Sequence, residues 1–168
     1  MFTDVEGTFV RIVYTDDTDI HLEQGHTHRP AARFNRAGQD ALYLSPDERS
    51  ARVAISGYVR WEDPPRVLIQ FEVSSCSLLD FRHPDATDIY ELARQPWQPS
   101  FKRGEAPISW QAADIIRDMG HMGLIDPSRQ CPGLWHIALL KWNVPGAPTV
   151  RRIGEPIPIS INPKPENQ

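Results

Sequence analysis

The chain has 168 residues, a usual length for one domain, and it can bury a hydrophobic core without disulfide bonds. Its formal net charge is -4, so it lacks the excess of lysine and arginine that nucleic acid binding needs, and direct DNA or RNA binding is disfavoured. We expect a single domain over residues 1–168, with the proline-rich segment 145–168 as an edge or a tail.

The cysteines and the N-terminal residues predict the compartment. Cys76 and Cys131 are far apart and have no CxxC partner, which favours two buried reduced thiols over a disulfide or a zinc site. Residues 1–7 are polar and acidic, and no apolar run approaches the length of a membrane span. The sequence therefore predicts a cytoplasmic protein that makes no membrane contact.

The first part of the chain predicts two strands and a helix. Residues 9–14 are β-branched and aromatic and predict a strand, and residues 41–44 predict a short one. The Ser-Pro-Asp-Glu motif at residues 45–48 has the form of a capping box, with Ser45 as the N-cap of a helix that runs to about residue 58. The helix face expected to turn inward carries Ala51, Ala54, Ile55 and Tyr58.

The second part predicts further short elements. Residues 66–73 and 136–142 are expected to be strands, and residues 109–119 a helix that ends at Gly120. The chain has sixteen prolines, and their concentration at residues 84–107 and 145–165 predicts ordered loops and edges there. Because strands and helices do not alternate regularly, the fold class is predicted to be α+β.

Three side chains in separate segments are candidates for ligand binding. Arg33 is expected beside a helix start, where a guanidinium and free amides favour a diphosphate, although a pair with a surface carboxylate is the alternative. Tyr43 offers a ring that can stack on a nicotinamide or adenine, or it is a core residue. Ser128 offers a hydrogen bond to a ribose or a carboxamide, or it caps a turn.

Three histidines also lie close together in the sequence, at positions 21, 26 and 28. The two histidines of the His-x-His segment could both bind a metal ion. No third ligand has fitting spacing, so a solvated turn is the favoured interpretation and no metal site is expected.

These segments together resemble the RES family of NAD-consuming toxins, named for an arginine, a glutamate and a serine. The arginine region of that family is matched by Arg33-Phe34-Asn35, by Gly38 and by the Leu-Tyr-Leu strand at residues 42–44. The serine region is matched by Gly123 and by Pro127-Ser128-Arg129. Arg11, in a first strand, resembles a second family arginine at the NAD site.

The resemblance implies a fold like that of the diphtheria-toxin-type ADP-ribosyltransferases, with short strands and a few helices. It implies NAD as a substrate without a metal, cleavage of the nicotinamide–ribose bond, and transfer of ADP-ribose to a protein target or to phosphate or water. It also implies a cognate Xre-like helix-turn-helix antitoxin that covers the active site, with a homo-oligomer allowed inside the complex. Arg11, Arg33, Tyr43 and Ser128 are the residues it assigns to the site.

One family position departs from the pattern. The glutamate of relatives lies eleven positions beyond the tyrosine, and here that position is Ala54. The chain is then either an inactivated variant or a divergent branch in which another group does the work. A catalytically silent module that binds NAD or the antitoxin is the alternative, and an unrelated protein with accidental motif matches would not bind NAD at all.

Overall fold

A mixed β-sheet of six strands organises the fold in the computed structural model, which describes residues 1–18, 21–25 and 28–164. The strands are β1 (Phe2–Tyr14), β2 (Leu42–Leu44), β3 (Arg66–Asp80), β4 (Gly123–Pro127), β5 (Trp135–Leu139) and β6 (Val150–Ile159). Their order is β1-β3-β4-β5-β2, and β6 pairs with β3. Of the pairings described between these six strands, only β3–β4 is parallel.

The sheet rolls over so that its two end strands meet. Val10 of β1 and Ser45, which directly follows β2, exchange two backbone hydrogen bonds of 2.8 Å. The strand order that begins with β1 and ends with β2 therefore closes on itself, and the residues on the concave side of the sheet are enclosed. This closure brings the middle of β1 close to the loops that lead into and out of β2.

Four short helices and a 3₁₀ turn cover the sheet in the described part of the chain. They are α1 (Glu48–Ile55), the 3₁₀ turn (Pro84–Ala86), α2 (Thr87–Ala93), α3 (Gln98–Lys102) and α4 (Ser109–Asp118). The irregular order of helices and strands confirms the α+β prediction. Among the described helices, none has the length and apolar character needed to cross a membrane.

Two strands are longer than the sequence pattern predicts. β1 starts at Phe2 rather than near Phe9, because the chain passes Gly7 with a register shift and a φ of 106°, and pairing resumes on both sides. β3 runs through the polar Ser-Ser-Cys-Ser segment at residues 74–77, which is paired with β1 only in part and continues to Asp80. A run of polar residues predicts the end of a strand, but here hydrogen bonds to the long strand β1 keep this segment in the sheet.

The start of α1 corrects the predicted capping box. Asp47, not Ser45, is the N-cap, and its carboxylate accepts a 2.7 Å hydrogen bond from the Ser50 amide. Ser45 is instead bonded through its side chain to His136. The helix ends at Ile55, and of the face predicted to turn inward only Ala51 is buried, whereas Ala54 and Tyr58 are exposed.

The core lies inside the rolled sheet and beneath α4. Its largest fully buried side chains include Trp142, Phe34, Phe71, Leu42, Ile69 and Ile137. On α4, Trp110, Ala113 and Ile116 face inward as predicted, and Gly120 adopts a φ of 77° just past the helix end. Cys76 and Cys131 are free as predicted but only half-buried, so the expectation that they are buried is wrong.

A buried carboxylate ties the end of β3 to the start of β1. Asp80 is 5% exposed and accepts hydrogen bonds from Thr3 Oγ1 (2.7 Å) and from Arg82 Nε and Nη2 (both 2.8 Å). Burial alone would raise the pKa of Asp80, but these hydrogen bonds outweigh it and lower the pKa to about 2. The ordinary value is 3.8.

Because the folded pKa of Asp80 lies below the unfolded one, its contribution to stability is present above pH ~4 and is lost as the pH falls towards ~2. We expect Asp80→Asn to lower the free energy of unfolding by about 1–2 kcal/mol at pH 7, with little difference left near pH 2. Urea unfolding at both pH values measures this. The exposed Asp118, changed to Asn, is the control, and an equal loss at both pH values would contradict the assignment.

Candidate functional site

A cleft of about 310 Å³ opens between β1, the loop before β2, α1 and the end of β4. All five sequence-predicted site positions line it: Arg11, Arg33, Tyr43, Ala54 and Ser128. They come from segments that are far apart in the chain, and the rolled sheet brings them together. Tyr58 and Trp97 add two aromatic walls to the same cleft.

Arg11 lies on the inward-facing side of β1. Its neighbours on that side, Phe9 and Val13, belong to the hydrophobic core, since alternate residues of a strand share a face. The Arg11 Nη1 atom is buried and has no hydrogen-bond partner among the residues that the structure describes. Leaving a buried donor unpaired costs about 1–3 kcal/mol, and more for a charged group. The Arg11 side chain thus offers a positive charge and an unused hydrogen-bond donor to an anionic ligand.

Burial also lowers the pKa of Arg11 to about 10, while the nearby Tyr43 works in the opposite direction. The guanidinium nevertheless stays protonated at neutral pH. Its charge therefore contributes to the cleft over the whole physiological range.

Arg33 enters the cleft from the loop before β2. Its Nη1 atom donates to the carbonyl oxygens of Ala93 (3.1 Å) and Gln95 (2.8 Å) at the end of α2. This contact corrects both expectations for Arg33, since it is neither at a helix start nor paired with a surface carboxylate. Burial lowers its pKa, and the neighbouring positive charge of Arg129 adds to that effect.

Helix α4 fixes the backbone of the loop that carries Arg33. Trp110 Nε1 donates to the Ala32 carbonyl (2.7 Å), and Ser109 Oγ donates to the Arg33 carbonyl (2.6 Å). Arg117 Nη2 donates to the carbonyl of Phe34 at 3.0 Å. Three consecutive carbonyls are thus held by one helix, so the loop has a defined conformation without a ligand.

Tyr43 is fixed at both ends of its side chain. Its hydroxyl donates to Asn35 Oδ1 (2.7 Å) and accepts from the Phe34 amide (2.9 Å). Its ring stacks on Phe34, with 6.4 Å between ring centroids and 18° between planes. Burial raises the pKa of Tyr43 well above its usual range, so the phenol stays protonated. The residue can shape a ligand site, but it does not offer a free hydroxyl or a phenolate.

Ser128 has the turn-capping contacts that its sequence context predicts, and its ligand role stays a prediction. Its Oγ accepts a 3.1 Å hydrogen bond from the Cys131 amide, and its own amide donates to the Leu134 carbonyl at 2.9 Å. It therefore organises the turn between β4 and β5. It also lines the cleft, where its hydroxyl can still donate one hydrogen bond.

Several polar residues that line the cleft were not assigned to the site from the sequence, among them Asp126, Arg129 and His136. Arg129 donates to both oxygens of Asp126, at 2.8 and 3.0 Å. Burial would lower the pKa of Arg129, but the hydrogen bonds to Asp126 outweigh it and raise the pKa. The spacing of three between the acid and the arginine was the available signal.

The position of the missing glutamate faces this cleft. Ala54 is exposed, so it is not the inward-packed small residue that the helical pattern predicts. Among the described residues that line the cleft, Asp126 is the only carboxylate, and Arg129 neutralises it. Arg11 and Arg33 remain as uncompensated positive charges. The cleft suits an anionic ligand within a chain whose overall charge is negative.

The histidines weighed as metal ligands give no metal site in the described residues, where no group of three or more histidine, cysteine or acidic side chains is arranged to hold an ion. His26 lies outside the described residues. His21 is buried, and burial lowers its pKa to about 4.

Comparisons with known proteins bear on this geometry. A model of the RES domain matches residues 9–162. The crystal structure of the M. tuberculosis MbcT-MbcA toxin-antitoxin complex contains a similar chain, with a TM-score of 0.62 and 14% sequence identity. The alignment covers 95% of this chain and 87% of that chain. No curated protein matches the sequence significantly. The structural likeness supports the predicted α+β fold.

Proposed function

Because residues 9–162 match the RES domain, this chain belongs to the RES domain family, and we propose that it acts on NAD as the toxin of a toxin–antitoxin pair. In this proposal the cleft binds NAD as a substrate, and the nicotinamide–ribose bond is cleaved there. ADP-ribose passes to a protein target or to a small acceptor, phosphate or water. The activity is that of an ADP-ribosyltransferase, an NAD glycohydrolase or an NAD phosphorylase.

The observation that carries the proposal is the buried, unpaired Nη1 atom of Arg11 in the same cleft as Arg33. A planar guanidinium binds phosphate oxygens with two parallel hydrogen bonds, and burial strengthens such bonds. A dinucleotide offers a diphosphate for this purpose and two planar rings for the aromatic walls formed by Tyr58 and Trp97. Ser128 and the ring of Tyr43 would shape the nicotinamide end.

Position 54 makes the proposed activity weak. Cleavage of the bond to nicotinamide builds positive charge on the anomeric carbon, as in glycoside hydrolysis, and a carboxylate against the sugar stabilises that charge. Ala54 supplies none, and Asp126 is already paired with Arg129. We therefore expect NAD to bind while turnover is slow.

The partner we propose is a cognate Xre-like helix-turn-helix antitoxin that covers the cleft in the cytoplasm. The similar chain of known structure belongs to a toxin-antitoxin complex. Tyr58, which lines the cleft, is 48% exposed, and Trp61, three residues further along the chain, is 79% exposed. Exposed aromatic residues next to a binding cleft are typical of a surface that a protein partner buries.

The test combines calorimetry with NAD and mass spectrometry of the products from labelled NAD. We expect binding, together with slow release of nicotinamide. Free ADP-ribose, ADP-ribose phosphate and an ADP-ribosylated protein differ in mass, so the spectrum also identifies the acceptor. A folded protein that does not bind NAD would refute the proposal.

A catalytically silent module that binds NAD or the antitoxin is the second candidate, and the alanine at position 54 favours it. The two functions differ in cells. Growth arrest with falling NAD or a newly labelled protein supports the enzyme. Harmless expression of a folded chain, in which NAD binding persists without product, supports the module.

A further inference from the structure

His136 occupies a defined polar position in the cleft. It lies on β5 directly opposite Asp126 of β4, and its Nδ1 is 2.9 Å from Ser45 Oγ. Ser45 is itself held by two backbone hydrogen bonds to Val10 and is 4% exposed. The imidazole is therefore oriented by a rigid partner. Its other nitrogen, Nε2, has no hydrogen-bond partner among the described residues.

The rest of the cleft offers few proton acceptors. Asp126 is the only described carboxylate that lines it, and both of its oxygens accept hydrogen bonds from Arg129. The hydroxyl of Tyr43 is protonated and engaged with Asn35. His136 is the only histidine among the described lining residues, so it is the side chain best placed to take up a proton.

We propose that His136 is the general base of this cleft, accepting the proton of the hydroxyl or water that attacks the anomeric carbon of NAD. The inference rests on the proposed function and deepens it. It gives the cleft a general base although position 54 has no carboxylate.

The oxygen of the acceptor forms a bond to the anomeric carbon, and the bond from that carbon to the nicotinamide nitrogen breaks. The electron pair of the broken bond stays on the nicotinamide nitrogen, which becomes neutral. The acceptor proton moves to Nε2 of His136, whose Nδ1–H is donated to Ser45 in the tautomer that this role requires.

The charges around His136 set the expected pH dependence. Burial lowers its pKa below the usual 6.5, Arg129 acts in the same direction, and Asp126 and Asp47 oppose them. The imidazole is therefore neutral, and able to accept a proton, at pH 7. As the pH falls through its pKa the base is lost, so the rate of nicotinamide release should fall on the acid side.

His136→Gln tests the assignment. We expect the rate of nicotinamide release from NAD, with water as acceptor, to fall about 10²-fold, and the decline of the rate on the acid side, its acid limb, to disappear. The dissociation constant of NAD, measured by calorimetry, should change by less than about twofold, because the ring is not assigned to binding. Free imidazole should partly restore the rate of His136→Ala.

His121→Gln is the matched control, since the His121 ring contacts Phe2 at a tilted angle and does not line the cleft. It should leave rate and pH profile unchanged. A His136→Gln protein that keeps the rate and the acid limb overturns the inference but not the proposed function. Should that variant not fold, the unaltered chain still decides, because a profile without an acid limb also overturns it. A chain that neither binds nor cleaves NAD refutes both.

Discussion

Replacing Ala54 with glutamate should raise the rate of nicotinamide release from NAD by about 10²–10⁴-fold. Ala54 is exposed on α1 and lines the cleft, so a longer side chain finds room there without disturbing the core. Its carboxylate would stabilise the positive charge that builds on the ribose. The expected gain corresponds to about 2.7–5.4 kcal/mol of the activation barrier. Release of nicotinamide at saturating NAD measures it.

Ala54→Gln separates charge from size. The amide has the same shape as the carboxylate but no negative charge, so it should leave turnover within a few-fold of the unaltered chain. Both variants should unfold at similar denaturant concentrations. If Ala54→Glu folds, binds NAD and shows no faster turnover, position 54 is not the place where a carboxylate acts, and the family assignment of that position to this cleft is wrong.

Replacing Arg11 with methionine should weaken NAD binding by about 10²–10⁴-fold and yet should not destabilise the protein in the absence of NAD. Two charge-assisted hydrogen bonds to a diphosphate are worth about 1.5–3 kcal/mol each, which gives the expected loss of affinity. Without ligand, Arg11 keeps a buried donor unpaired. Methionine removes that cost and packs against apolar neighbours, so the free energy of unfolding should rise by about 1–2 kcal/mol.

Calorimetry with NAD and urea unfolding without it measure the two effects of Arg11→Met. Arg103→Met is the control, because Arg103 is exposed beyond α3 and pairs with Glu105. It should change neither quantity appreciably. An Arg11→Met protein that loses stability and keeps its affinity for NAD would show that the guanidinium has a structural rather than a binding role.

Local patterns in the sequence predict the elements that depend on periodicity. The inward face of α4 follows from the spacing of Trp110, Ala113 and Ile116, and its end follows from Gly120. The strands near residues 9–14 and 66–73 follow from β-branched side chains. Five positions of the site were predicted through their resemblance to a family, because their local sequence gives no strong signal that they meet.

Tertiary contacts decide what local patterns miss. Ser45 and Asp47 both suit an N-cap, and the choice falls to Asp47 because Ser45 bonds to His136 on a distant strand. His136 itself joins the cleft through its cross-strand pairing with Asp126, which no local spacing reveals. The partners of Arg33 are carbonyls at the end of α2, and only the folded chain brings them within reach.

Helix α4 contributes to ligand binding although its side chains that order the Arg33 loop need not contact a ligand. Three side chains of α4 hydrogen-bond to successive carbonyls around Arg33: Ser109, Trp110 and Arg117. The conformational entropy of that loop is therefore lost when the protein folds, and not when a ligand binds. Variation on a distant helix face would therefore change how tightly a small molecule is held. The affinity of the cleft for a small molecule thus depends partly on residues outside the cleft.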